Sequence, residues 1–235
     1  MRAHLEKLLA LRDLDGAILA AERKVRILEG EVAAIERRIA AEKEGFARRL
    51  EEHRALRRRA TEKAMEADEI DEKIRTYQHK LDHDIIPYKE MEYLKEQVEF
   101  LRSRIDEVEE EAIRLMDEVE EDSRRLEEEK RAHEERLAKL EREKSEVEGK
   151  ISTLEREIQE LRRKREAAIE GIPAHLRSHY ERLREMYPDP VASIVNGTCS
   201  GCHLNISQTT VDRARQGEVV TCDNCSRFLY LESAL

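Results

Sequence analysis

A chain whose apolar residues recur alternately four and three positions apart can bury them only by laying one narrow stripe of a helix against a partner stripe. Leu14, Ile18, Ala21, Val25, Leu28, Val32, Ile35 and Ile39 follow that rhythm. So do Leu94, Val98, Leu101, Ile105, Val108, Ala112, Leu115 and Val119, and again Val147, Ile151, Leu154, Ile158 and Leu161. Two long coiled-coil helices are therefore expected. Between them stands Asp82-His83-Asp84-Ile85-Ile86-Pro87, where Pro87 lacks a backbone donor and pushes Ile86 away from helical dihedrals. The helix should break there.

The two seams are mirror images about that break. Partners whose residue numbers sum to 172 match Leu14 with Ile158, Ile18 with Leu154, Ala21 with Ile151, Val25 with Val147, Phe46 with Leu126, Ala67 with Ile105, Ile74 with Val98 and Leu81 with Met91. One register for the whole length predicts an intramolecular antiparallel hairpin over residues 1–171, its tip near 82–88, with arms of about 80 residues or roughly 120 Å. The seam turns polar around Glu42, Arg49 and His53 and, opposite them, Asp122, Glu129 and His133, and Val119 to Leu140 requires a shift of phase. A bend or local loosening is expected there. The runs Arg48-Arg49, Arg54, Arg57-Arg58-Arg59 and Arg162-Arg163-Lys164-Arg165 read as solvated flanks that pair across the hairpin with acidic stretches such as Glu118, Glu120 and Glu121.

Composition fits a chain without a large core: 42% of residues are charged, and the aromatics are three Phe, six Tyr and no Trp. The net charge of −10 opposes binding to phosphate backbones and anionic membranes, so any nucleic-acid contact must be local. Residues 172–235 carry six Arg, no Lys and seven acidic residues, leaving most of the negative charge in 1–171. No apolar run reaches signal-peptide or membrane-spanning length, and the expected location is cytoplasmic.

Residues 172–235 also hold three of the four prolines and every cysteine. Cys199-Ser-Gly-Cys202 and Cys222-Asp-Asn-Cys225 place two residues between ligands, a spacing that brings both thiolates of a tight turn to one ion. Two such turns complete a tetrahedral shell for one structural Zn2+, with no open position for a catalytic water. A thioredoxin-like redox motif is disfavoured because there are two equivalent pairs and no βαβ pattern. His203 reads as a knuckle or surface residue rather than a fifth candidate ligand. Pro173 to Tyr187 reads as a short amphipathic helix, and Val191 to Val195 and Phe228 to Leu231 as short strands, with Gly197 and Gly217 at turns. The expected fold is thus mainly α: a long two-helix coiled-coil hairpin followed by a small four-cysteine zinc ribbon.

Taken with Cys199-Ser-Gly-Cys202, Cys222-Asp-Asn-Cys225-Ser-Arg-Phe-Leu-Tyr230 and the post-tip segment Lys89-Glu-Met-Glu-Tyr93-Leu-Lys-Glu96, the chain resembles the bacterial four-cysteine zinc-ribbon, coiled-coil hairpin proteins. Knuckles of that family often carry Pro after the first cysteine and Gly after the second, where this chain has Asp223 and Ser226. The resemblance implies a non-enzymatic adaptor. One member in flagellated bacteria binds the sigma factor sigma-54 and a flagellin messenger RNA, and others are described only as nucleic-acid-binding.

Two contact surfaces follow from the residues. Arg213, Arg215 and Arg227, beside Phe228 and Tyr230, offer phosphate and stacking contacts to RNA or DNA. The alternative, favoured by the ribbon's charge balance, is that the two aromatics pack its core. Ile85, Ile86 and Tyr88 crowd apolar surface at the hairpin tip, as a docking point for a protein partner or as a self-packed turn. With no phosphate-cradling loop, nucleophile constellation or open metal site, neither an enzyme nor a small-molecule substrate is expected.

Overall fold

The structure, a computed structural model, describes residues 2–231. Helix α1 spans Arg2–His83 and α2 spans Tyr88–Glu170, both uninterrupted. Pro87 does two jobs at the junction. It ends helical geometry on its N-terminal side, and its carbonyl accepts from the N–H groups of Glu90 and Met91, so its fixed φ opens α2. At the far end of α2, Ile172 donates to Ile169 and Pro173 leads into α3, Ala174–Met186.

After α3 come β1 (Val191–Val195), β2 (Thr198–Cys199), α4 (Gln208–Arg215), β3 (Val220–Thr221) and β4 (Phe228–Tyr230). The sheet order is β2-β1-β4-β3, with β1 and β4 parallel and both outer pairs antiparallel. Asn196 and Gly197, both at positive φ, make the two-residue turn between β1 and β2. Helix α4 and the two-residue strands are too short to leave a periodic signal. Only Ser207, whose hydroxyl accepts from the N–H of Thr210, marks the start of α4 in the sequence.

The chain forms two compact units. One joins residues 1–33 with 145–235, and the other is 34–144. In the first, Leu8, Leu11, Ile172, Tyr180, Leu183, Val191 and Phe228 form one core that gathers α1, α3, β1 and β4. The ribbon has its own core of Ala192, Ile194, Ile206, Val211, Ala214, Val220 and Leu229 around the cysteines.

The single hairpin register needs correction. In the 34–144 unit, Arg104 pairs with Glu66 and Lys63 with Glu111, so residue numbers sum to 170 and 174. Farther from the tip the sum climbs to 179 for the stacked pair Phe46 and His133, 180 for Glu36 with Lys144, and 181 for Arg38 with Glu143. In the other unit, Ile18, Ala21 and Ile158 close a core with Val25 and Leu161, and Glu22 pairs with Arg162. The register near 172 therefore holds by the tip and gives way, through the phase shift at Val119 to Leu140, to one larger by about a heptad. A seven-residue slip carries every seam position onto another seam position, so matching apolar residues cannot detect it.

The polar stretch is paired rather than loose. Arg49 donates to Asp122 at 2.7 Å and Glu129 at 2.7 Å, and His53 Nδ1 lies 2.7 Å from Asp122. Glu42 receives Arg136 at 2.8 Å and lies 3.0 Å from His133 Nδ1. The Arg49 guanidinium holds the Asp122 carboxyl below its usual range, and His133, then Arg136, do the same for Glu42. The flanking charges differ in part from expectation. Glu120 and Glu121 pair with Arg124 and Arg125 one turn along their own helix, and Arg54 and Arg58 with Glu51 on theirs.

Candidate metal centre

The four cysteines sit on two matching backbone turns. In each, the first cysteine's N–H donates to a carbonyl beyond the second cysteine: Cys199 to Leu204 at 3.0 Å and Cys222 to Arg227 at 2.8 Å. In return, His203 donates to the Cys199 carbonyl at 2.8 Å and Ser226 to that of Cys222 at 3.0 Å. His203 and Ser226 occupy the equivalent place and share a left-handed backbone, φ 59 and 61. Glycine adopts that geometry freely, and here two residues with a Cβ adopt it at some cost. His203 thus shapes the turn, and the candidate cluster comprises the four cysteines alone.

All four Sγ atoms lie within 4.8 Å of one another, with 3.9 Å between Cys199 and Cys225 and 3.7 Å between Cys202 and Cys222. Zinc–sulfur bonds of about 2.3 Å in a tetrahedron require edges of about 3.8 Å, so the residues fit one Zn2+. Backbone N–H groups of Gly201 and Cys202 point at Cys199 Sγ, and that of Leu204 at Cys202 Sγ. Without a cation, burial pushes the Cys199 thiol up to about 12. Zn2+ binds thiolates, so loading the site releases protons, and its binding energy becomes folding energy for this small region.

Asp223 follows the first cysteine of the second knuckle and uses its side chain to anchor the turn. Its carboxylate accepts from the Ser207 N–H at 3.1 Å and from Thr210 Oγ1 at 3.3 Å, tying the second knuckle to the start of α4. The hydrogen bond from Ser207 holds it below the usual carboxylate range.

The structure separates the three arginines. Arg213 and Arg215 are exposed on the last turn of α4, paired with Glu218 at 2.8 Å and Asp212 at 3.2 Å. Arg227 is buried: its guanidinium lies 3.8 Å from the Tyr187 ring centroid and its Nε donates to the Asp189 carbonyl at 2.9 Å. This is a packing role, which removes it from the surface a phosphate would meet. It also requires Gly201, where an added Cβ would come within 2.6 Å of the Arg227 guanidinium. Phe228 is fully buried, and half-buried Tyr230 takes a hydrogen bond from Arg12 at 3.3 Å, so both aromatics serve packing. At the tip, Ile85 is 105% exposed and Tyr88 68%, whereas Ile86 is half-buried.

One polar cluster escaped sequence reasoning. Asp15 is buried and accepts from Arg165 at 2.6 Å, from the Tyr180 hydroxyl at 2.8 Å and from Arg184 at 3.2 Å, while Arg165 also reaches Glu181 at 2.7 Å. Burial first, and the Asp15 charge second, push the Tyr180 phenol far up. The cluster joins α1, α2 and α3. The signal was present: extending the seam as Leu8, Leu11, Asp15 and Ile18 puts a carboxylate on it, and the structure buries Asp15 while leaving Leu14 half-buried.

Among the described residues no helix is long and apolar enough to cross a membrane. Solved structures to which the chain is similar include three that each match over 98% of both chains. They are CT398 from Chlamydia trachomatis (22% identity, TM-score 0.76), HP0958 from Helicobacter pylori (23%, 0.52) and a protein from Mycobacterium smegmatis (17%, 0.79). These likenesses establish the fold. No curated protein matches the chain. Residues 198–229 match the C4-type zinc ribbon domain, and residues 9–188 match the CT398-like coiled coil hairpin domain. Both are structural domain families rather than known enzymes, and with the longer match spanning most of its length the chain belongs to the CT398-like coiled-coil hairpin family.

Proposed function

We propose that this protein is a non-enzymatic adaptor that docks a protein partner at the hairpin tip, with the zinc ribbon as its second contact. The observation that carries the reading is Ile85, a large aliphatic side chain fully exposed beside exposed Tyr88. Such a residue has no packing role within its own turn, and its burial by a partner would contribute about 1.5–3 kcal/mol. The resemblance to the zinc-ribbon hairpin proteins points to a transcription-related partner such as a sigma factor. Affinity capture from native lysate, with mass spectrometry and RNA sequencing of one eluate, tests this. A single dominant protein should be recovered by the wild type and lost with Ile85→Asp and Ile86→Asp. Equal recovery by wild type and both variants sinks the tip assignment.

A second reading, RNA or DNA binding at the ribbon, is favoured by one observation: Arg213 and Arg215 are both exposed on the last turn of α4. Affinity for single-stranded RNA should then fall steeply with salt and drop on Arg213→Ala with Arg215→Ala. Salt-insensitive or absent binding removes it.

A further inference from the structure

The 34–144 unit carries a groove of about 520 Å³ between α1 and α2, lined by Arg57, Ala60, Thr61 and Ala64 on one helix and by Met116, Asp117, Val119 and Glu120 on the other. Its floor is small and apolar on the α1 side, where Ala60 is buried. Met116 stands beside it 59% exposed, a large flexible side chain with one flank uncovered. One more exposed apolar residue stands one turn away on the same helix. Ile113, 60% exposed, precedes Met116 by three residues. Two uncovered large side chains one turn apart offer apolar surface to a partner.

The charges on the two walls are of opposite sign. Arg57 on the α1 wall and Asp117 on the α2 wall have no ionic partner among the described residues. Their neighbours along the helices do: Lys63 pairs with Glu111 and His53 with Asp122. Arg57 and Asp117 lie between those two cross-hairpin pairs, so they stand at one level on opposite sides of the groove.

The geometry points to a second copy of this chain as the occupant. A twofold axis running along the two helices turns the face over, so that α1 of one copy meets α2 of the other with levels preserved. Each Arg57 then faces the other copy's Asp117, and each Met116 enters the floor formed by the other copy's Ala60, Thr61 and Ala64. Such contacts are isologous, and the interface closes at two copies. This surface is separate from the tip and the ribbon, so it stands or falls independently of the contacts assigned to them.

Sedimentation equilibrium of the zinc-loaded full chain at moderate salt tests it. The wild type should be a dimer and Met116→Glu a monomer, with helical content unchanged by circular dichroism because Met116 is exposed. Arg57→Asp and Asp117→Arg should each weaken the dimer on the order of tenfold, and the double swap should restore it. A monomeric wild type, a dimer that survives Met116→Glu, or a double swap no tighter than the single variants overturns the inference.

Discussion

Asp15→Ala should be among the most damaging single substitutions in this chain. Asp15 is a seam residue with its side chain 5% exposed, and it is the shared acceptor for Arg165, Arg184 and the Tyr180 hydroxyl. Removing it strands the Arg165 guanidinium, itself 14% exposed, with only Glu181. It also leaves a fully buried phenol without an acceptor. Breaking a buried ion pair from one side costs about 3–5 kcal/mol, because the partner's desolvation is no longer offset. Tyr180→Phe, by contrast, removes one neutral donor from a carboxylate that keeps two arginines, and should cost about 1–2 kcal/mol. The order of the two variants is more diagnostic than either value. Urea unfolding followed by circular dichroism, with hydrogen exchange to localise the loss, provides the assay. Protection should fall in residues 1–33 and 145–231 and persist in 34–144. An Asp15→Ala variant no less stable than Tyr180→Phe would refute the reasoning, since Asp15 would then be no hub.

Further outcomes follow from the same structure. Chelation should release one zinc per chain and abolish exchange protection in residues 198–231 while the helical signal persists; a metal-free preparation with two disulfides would contradict the assigned site. Ser226→Gly should stabilise the ribbon by about 1 kcal/mol because its backbone is left-handed, read as slower zinc loss to a competing chelator. A faster loss would show that the Ser226 side chain matters more than the strain. Asp122 and Glu42 are held below their ordinary values in the folded state, so their contribution is complete above the unfolded carboxylate range near pH 4 and is lost as pH falls through the depressed values. The difference in melting temperature between wild type and Asp122→Asn should therefore shrink as pH falls below about pH 4. A difference that persists into strong acid would place its origin elsewhere.

The legible features were those set by local rules. Pro87 fixed the break, the four-and-three spacing fixed the helices, and the paired cysteines two residues apart fixed the metal shell. Helix α4 and strands β2 and β3 left no such trace, because eight residues or two are too few for a period and their stability comes from packing around the cysteines. The arginines show the same limit more sharply. Arg213, Arg215 and Arg227 are equivalent as letters, and only the approach of Tyr187, Asp189 and Gly201 makes one of them a buried strut.

By itself, then, the sequence determined that two mirrored helical stripes pair antiparallel about Pro87 and that a zinc-sized thiolate cluster stabilises the small remainder. Spacing along a chain carries both facts, because helical periodicity and knuckle turns are short-range geometry. Tertiary structure alone decided the register toward the base, the three donors gathered at Asp15 and the placement of Arg57 and Asp117 along one groove. Heptads are unchanged by a seven-residue slip. Which charges meet is settled only when two distant segments are brought to one level.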